Sequence, residues 1–197
     1  MISSEKNLTD SITWRKKDLL HHMTEFEFRQ LLKKNQLIRI QKGVYQYAHI
    51  DLPDNDMILA QELFPQAVIS MLTAASYYNL TTIIPSSIQL TLPSNKSRRL
   101  TPPSYPQIEF FFANEKIIDL GIEIISVEDH PIRIYNRERV VCDMFRYLSR
   151  VGLDAALDIF KNYMHDKKIC QPDKLLQYSR QLRVYKYIHR YMEVYIA

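Results

Sequence analysis

Four side chains between residues 26 and 33 could read a nucleic acid. The stretch Thr24-Glu25-Phe26-Glu27-Phe28-Arg29-Gln30-Leu31-Leu32-Lys33 has helical spacing, with Phe28, Leu31 and Leu32 at i, i+3 and i+4 as an apolar stripe. With Phe28 at zero and steps of about 100° per residue, Phe26, Arg29, Gln30 and Lys33 fall between about 100° and 200°, away from that stripe. They supply a guanidinium, an amide, an ammonium and an aromatic ring. Those groups match base edges: Arg to guanine, Gln to adenine, an apolar group to the thymine methyl. The alternative is a plain solvated face, on which Phe26 is the odd member because a large apolar residue in water needs a reason.

The helix that holds these residues is announced locally. Thr24 and Glu27 form a capping box, the hydroxyl accepting from the Glu27 N–H while the carboxylate reaches back. Polar Lys33-Lys34-Asn35-Gln36 ends the helix near Asn35. Ahead of it, Trp14 to about Met23 has the spacing of another helix. Behind it, Leu37-Ile38-Arg39-Ile40 and Val44-Tyr45-Gln46-Tyr47 alternate as two strands around Gln41-Lys42-Gly43, where Gly43 suits a positive φ. Helix, helix and hairpin is the order of a winged helix-turn-helix. That order places the second helix in a major groove and carries Arg39 and Lys42 toward phosphates. Arg15, Lys16, Lys17 and Thr24 complete the predicted phosphate clamp, contacts that position rather than specify.

The rest of the chain reads as a second domain, so the expected division is 1–50 and 51–197. After a linker at 49–55, a helix is predicted from Met57 to Phe64, and Val68-Ile69 leads into a small-residue helix over Ser70–Leu80. Strands are predicted at Ile88–Leu92, Ile108–Ala113, Ile122–Val127 and Ile132–Tyr135. Helices follow: one capped by Asn136, one over Asp154–His165 and a last long one opened by Pro172. The fold class is therefore α+β: a winged helix-turn-helix, then a C-terminal α/β domain with a small mixed or antiparallel sheet. Asp143 is spaced to pair with Arg139 or Arg146, a structural use. The last helix carries Arg180, Arg183, Lys186 and Arg190 opposite its apolar stripe, interleaved with tyrosines. That pattern suits phosphate contact and ring stacking, or else a soluble face. Lys96, Arg98 and Arg99, in a Pro-rich loop, offer a further nucleic-acid or partner contact.

Charge supports an anionic partner met at particular faces. The 197 residues carry 26 Lys+Arg and 22 Asp+Glu. Residues 1–50 hold nine basic and five acidic, 51–140 seven and eleven, and 141–197 ten and six. Two basic ends thus flank an acidic middle. Three glycines, where average usage gives about 14, exclude the G-x-G-x-x-G, P-loop and G-x-S-x-G motifs. Two cysteines exclude a disulfide scaffold. The six histidines form no metal-ligand spacing. Asp54-Asn55-Asp56 resembles a nucleotidyltransferase carboxylate pair, but the accompanying upstream Gly-Ser is absent and the acids suit a helix N-terminus. No catalytic residue, metal site or cofactor is expected, so the chain reads as a non-enzyme. The N-terminus lacks a signal-peptide pattern and no apolar run spans a bilayer, which leads us to expect a cytoplasmic protein.

One family shares this order of signals. Arg39-Ile40-Gln41-Lys42-Gly43-Val44-Tyr45, Ile69–Leu80, Ile88–Pro93 and Tyr135-Asn136-Arg137-Glu138-Arg139-Val140-Val141-Cys142-Asp143 together resemble the AbiEi antitoxins and transcriptional regulators of bacterial abortive-infection, type IV toxin–antitoxin systems. The likeness covers about residues 12–190; "KGVY" and "ER…D" are its most specific parts. Many members carry His where this chain has Met71. The resemblance implies a phage-resistance repressor whose winged helix binds inverted repeats in its own promoter. It also implies a C-terminal domain that opposes a nucleotidyltransferase toxin without forming a stable complex. No long heptad seam marks an obligate dimer, so we expect a monomer that meets its DNA on paired half-sites. A protein- or RNA-binding module built on the Tyr-rich C-terminal helix is the alternative.

Overall fold

A computed structural model describes residues 12–95, 100 and 102–196. The first secondary structure is a short strand, β1 (Trp14–Arg15), followed by one turn of helix, α1 (Lys16–Leu19), then α2 (Glu25–Lys33) and a hairpin of β2 (Leu37–Gln41) and β3 (Val44–Tyr47). β3 lies in the middle of a three-stranded antiparallel sheet in the order β1-β3-β2. This corrects the predicted helix over Trp14–Met23, of which only Lys16–Leu19 is helical. Trp14 pairs with Tyr45 and Arg15 with Val44, and strand pairing to the hairpin overrides the helical spacing. Trp14 is buried with Leu19, Phe28, Leu37 and Tyr45 in a small core. Within it the Phe28 and Tyr45 rings meet edge to face at 5.0 Å, a preferred aromatic geometry.

The remaining elements are α3 (Asp56–Leu63), β4 (Val68–Ile69), α4 (Met71–Tyr77), β5 (Ile88–Pro93), β6 (Ile108–Ala113), α5 (Glu115–Ile118), β7 (Ile122–Val127) and β8 (His130–Tyr135), then α6 (Arg137–Arg146), α7 (Leu148–Val151), α8 (Leu153–His165), α9 (Pro172–Gln181) and α10 (Tyr185–Ile196). Five strands form a mixed sheet in the order β6-β5-β4-β8-β7. β4 runs antiparallel to β5 and parallel to β8. β5 is parallel to β6, and β7 and β8 form an antiparallel hairpin. The central strand is thus the two-residue Val68–Ile69, which the sequence marks only as a lead-in because two residues carry no periodicity. The fold is α+β, with ten helices and two small sheets among the described residues.

Two differences from the sequence reading matter for function. First, the last long helix is two. α9 ends at Gln181, Arg183 takes φ +61° and α10 begins at Tyr185. No Gly or Pro stands at the break, so nothing local announces it. Second, the hairpin does not belong to the small core alone. Val44 is part of the larger core, and Ile12 and Ile40 pack against it. Alternation explains this: Tyr45 and Val44 point to opposite faces of β3, and each face finds its own core.

Candidate nucleic-acid interface

α2 is built as its sequence implies. The Thr24 hydroxyl accepts from the Glu27 N–H at 3.2 Å, and the Glu27 carboxylate accepts from the Thr24 N–H at 2.7 Å. This closes the capping box and holds the Glu27 carboxyl below its ordinary range, the backbone N–H of Thr24 being the main cause. Phe28 is buried while Leu31 and Leu32 are half-buried, so the apolar stripe faces the small core. The opposite face presents Phe26, Arg29 and Lys33 exposed and Gln30 half-buried. Phe26 is 70% exposed, the largest exposure of any aromatic side chain among the described residues.

One residue absent from the sequence reading organises this end of the helix. The Glu25 carboxylate accepts from Lys16 Nζ at 3.0 Å and from Arg29 Nε at 3.3 Å. Lys16 and Arg29 together hold its carboxyl below the ordinary range, with the Lys16 hydrogen bond the larger cause. Lys16 Nζ also sits 5.0 Å over the Phe28 ring. The signal for the Arg29 contact was present as an i, i+4 pair; the Lys16 contact depends on the turn between α1 and α2 and has no local signature. Both pairs are exposed and contribute little in water, so they orient the cations without locking them.

The predicted phosphate contacts divide. Lys17 and Thr24 are exposed beside α2, and Lys16 opens α1. Arg39 is exposed on β2 and its Nε donates to the Gln41 carbonyl at 3.3 Å. Lys42 is exposed in the turn before Gly43, whose φ is +80°. Arg15 is exposed on β1 rather than opening a helix. Arg15 and Lys42 line one cavity of about 420 Å³ together with Leu63, Phe64 and Leu100. The hairpin tip is therefore backed by the larger part of the molecule instead of projecting freely. Lys96, Arg98 and Arg99 lie outside the described residues.

The C-terminal cations are exposed but do not share a helix face. Arg180 is on α9, Arg183 at the break, and Lys186 and Arg190 on α10. The predicted single basic face is therefore split. Several of its tyrosines are engaged: Tyr191 stacks on Phe145 at 5.5 Å, and Arg180 lies 4.8 Å over the Tyr185 ring.

The "ER…D" residues of α6 are buried. The Arg139 guanidinium donates to Asp143 at 2.8 Å, to the Ile117 carbonyl at 2.6 Å and to the Leu120 carbonyl at 2.8 Å. It also lies 4.1 Å from the centre of the Tyr135 ring. Asp143 further faces Arg146 at 4.0 Å, so both pairings expected from its spacing occur. Burial raises the Asp143 carboxyl, and Arg139 opposes that rise. Glu138 accepts from the Tyr163 hydroxyl at 2.9 Å and pairs with Lys174 at 3.0 Å. This network ties α5, α6, α8 and α9 together and is structural. Cys142 beside it is buried, and burial pushes its thiol well above the ordinary range.

Asn55 caps α3, its side chain accepting from the Met57 N–H at 3.0 Å, and Asp56 accepts from the Tyr105 hydroxyl. Among the described residues no group of three or more His, Cys, Asp or Glu is arranged to hold a metal ion. No helix among them is long and apolar enough to cross a membrane. The chain matches no family model and no curated protein.

Proposed function

We propose that this chain is a DNA-binding transcriptional regulator of the AbiEi kind, and that residues 12–50 act as a winged helix-turn-helix. The observation that carries the reading is the outer face of α2. Phe26, Arg29, Gln30 and Lys33 share it, so an exposed aromatic ring lies beside a guanidinium, an amide and an ammonium on one helix face. In this reading α2 enters the major groove. Arg29 and Gln30 read base edges and Phe26 meets a thymine methyl. Lys16, Lys17, Thr24, Arg39 and Lys42 hold phosphates, with Arg15 at the margin because it lies against the larger core.

The further roles rest on the resemblance: autorepression through inverted repeats, and opposition to a nucleotidyltransferase toxin by the C-terminal part without a stable complex. The test is a gel-shift titration against the DNA just upstream of the gene, with a scrambled competitor, at two salt concentrations. Tight, competitor-resistant binding that weakens steeply with salt supports the reading, because neutralised phosphates release counterions. Equal affinity for both DNAs, or an affinity that ignores salt, rejects it.

A further inference from the structure

The break between α9 and α10 opens a cavity that the DNA reading leaves unused. It measures about 830 Å³, within the size range of small-molecule sites. Three cations line it: Lys116 from α5, Arg146 from the end of α6 and Arg183 from the break. No carboxylate does so among the described residues. Of the cations elsewhere, Arg139 pairs with Asp143, Lys174 with Glu138 and the exposed Arg150 with Glu109, while half-buried Arg137 lies over the Tyr78 ring. Lys116 and Arg183 have no ion pair among the described residues. The carboxylate nearest Arg146 is Asp143 at 4.0 Å, and its other oxygen is taken by Arg139 at 2.8 Å. Arg146 Nη1 and Asp143 Oδ1 are both buried without a hydrogen-bond partner. Three cations and no carboxylate around one concavity focus a positive potential into it, which favours an anion there.

The cavity also has an aromatic wall. Tyr187 is 49% exposed and lines the cavity, one face of its ring covered by Phe145 at 6.2 Å and 18°. Arg183 holds its place at a conformational cost. It stands at φ +61°, a region that disfavours a side chain, while the chain reversal is secured by the Val184 N–H donating to the Ser179 carbonyl at 2.8 Å. Glycine would satisfy the turn more easily, and the residue there instead carries a guanidinium to the cavity. Strain of this kind collects at binding sites.

We infer that this cavity binds a small phosphorylated ligand with a planar ring, of the nucleoside-monophosphate class. Arg183, Arg146 and Lys116 meet the phosphate and Tyr187 stacks on the ring. The site is independent of α2, so it stands or falls apart from the DNA reading.

Titration calorimetry of the whole chain with AMP, inorganic pyrophosphate and adenosine tests it. AMP binds, pyrophosphate binds more weakly, and adenosine gives no heat. Arg183→Gly, which suits the backbone at that position, and Lys116→Ala, at an exposed residue, each weaken AMP by about tenfold while the melting temperature holds or rises. Tyr187→Ala weakens AMP and leaves pyrophosphate unchanged. The inference is overturned if AMP and pyrophosphate give no heat at about 5 mM or if Arg183→Gly binds AMP like the parent. It is also overturned if Tyr187→Ala has no effect on AMP. A fourth contrary result is binding of a random DNA duplex abolished by Arg183→Gly while AMP does not bind, which would make the cavity a backbone contact.

Discussion

Arginine serves opposite ends in α2 and in α6. Arg139 on α6 is fully buried, with its guanidinium donating to Asp143 and two carbonyls. Arg29 on α2 has 75% of its side chain exposed and a single long contact to Glu25. Both helices carry an acidic residue one turn away from the arginine, and both have good caps. Burial makes the difference. In α6 the charge has been taken out of water, so every donor needs a partner and the residue is committed to the fold. In α2 the donors remain in water, and exchanging water for a base edge or phosphate costs little. Of the two motifs most specific to the resemblance, "ER…D" therefore lies in the structural helix α6 and "KGVY" in the hairpin, while the less distinctive α2 face carries the proposed recognition.

That contrast can be broken at its strongest point first. Asp143→Ala leaves the buried Arg139 charge without its carboxylate and costs about 3–5 kcal/mol of stability. Asp143→Asn, which keeps a hydrogen-bond acceptor, costs less. Urea unfolding checks both, and a loss under 1 kcal/mol for the alanine variant would mean the network is not what holds α6.

A second comparison sets two glycines against each other. Gly43 in the hairpin has φ +80° and open space where a Cβ would stand, so Gly43→Ala costs about 1–2 kcal/mol, from conformation alone. At Gly121, φ +79°, a Cβ would lie 2.9 Å from both Arg139 Cβ and Asn136 Oδ1. Crowding there adds about 1–3 kcal/mol to the conformational cost. Thermal melts should rank Gly121→Ala clearly below Gly43→Ala.

Smaller effects sharpen the α2 side. Thr24→Ala removes half of the capping box and costs about 1 kcal/mol. The lowered Glu27 carboxyl sets the sign of a pH effect: its contribution is full above the ordinary value of 4.5 and is lost as pH falls through the lowered one. The Thr24 amide resonance, followed by NMR below pH 5, should report that loss; a Thr24 amide indifferent to pH would remove Glu27 from the cap. Glu25→Gln releases Lys16 and Arg29 and removes a negative charge from the proposed interface. Operator affinity should rise severalfold at low salt, with the gain shrinking as salt screens the charges; a weaker complex would show that Glu25 holds Arg29 in its reading position.

Much of this molecule was legible from local signals. The Thr24–Glu27 box, the Asn136 cap, the hairpin around Gly43 and the bounds of β6 and β7 follow from residue type and spacing. The exposed face of α2 follows from a helical wheel. What was hidden depends on distant residues. Trp14 has helical spacing but pairs with Tyr45 on a strand. Val68–Ile69 is central in its sheet yet too short to show a period. The turn at Arg183 uses a residue that disfavours its φ, and the cavity it opens joins three elements far apart in sequence.

The central claim is that the exposed face of α2 reads DNA, and Arg29 tests it most directly. Fluorescence anisotropy would measure the affinity of the parent and of Arg29→Ala for the upstream DNA and for a scrambled duplex, in the same salt. The account predicts that Arg29→Ala loses about 1–3 kcal/mol on the upstream DNA and much less on the scrambled one, with the melting temperature unchanged. Parent-like affinity and the parent's ratio between the two DNAs would contradict it.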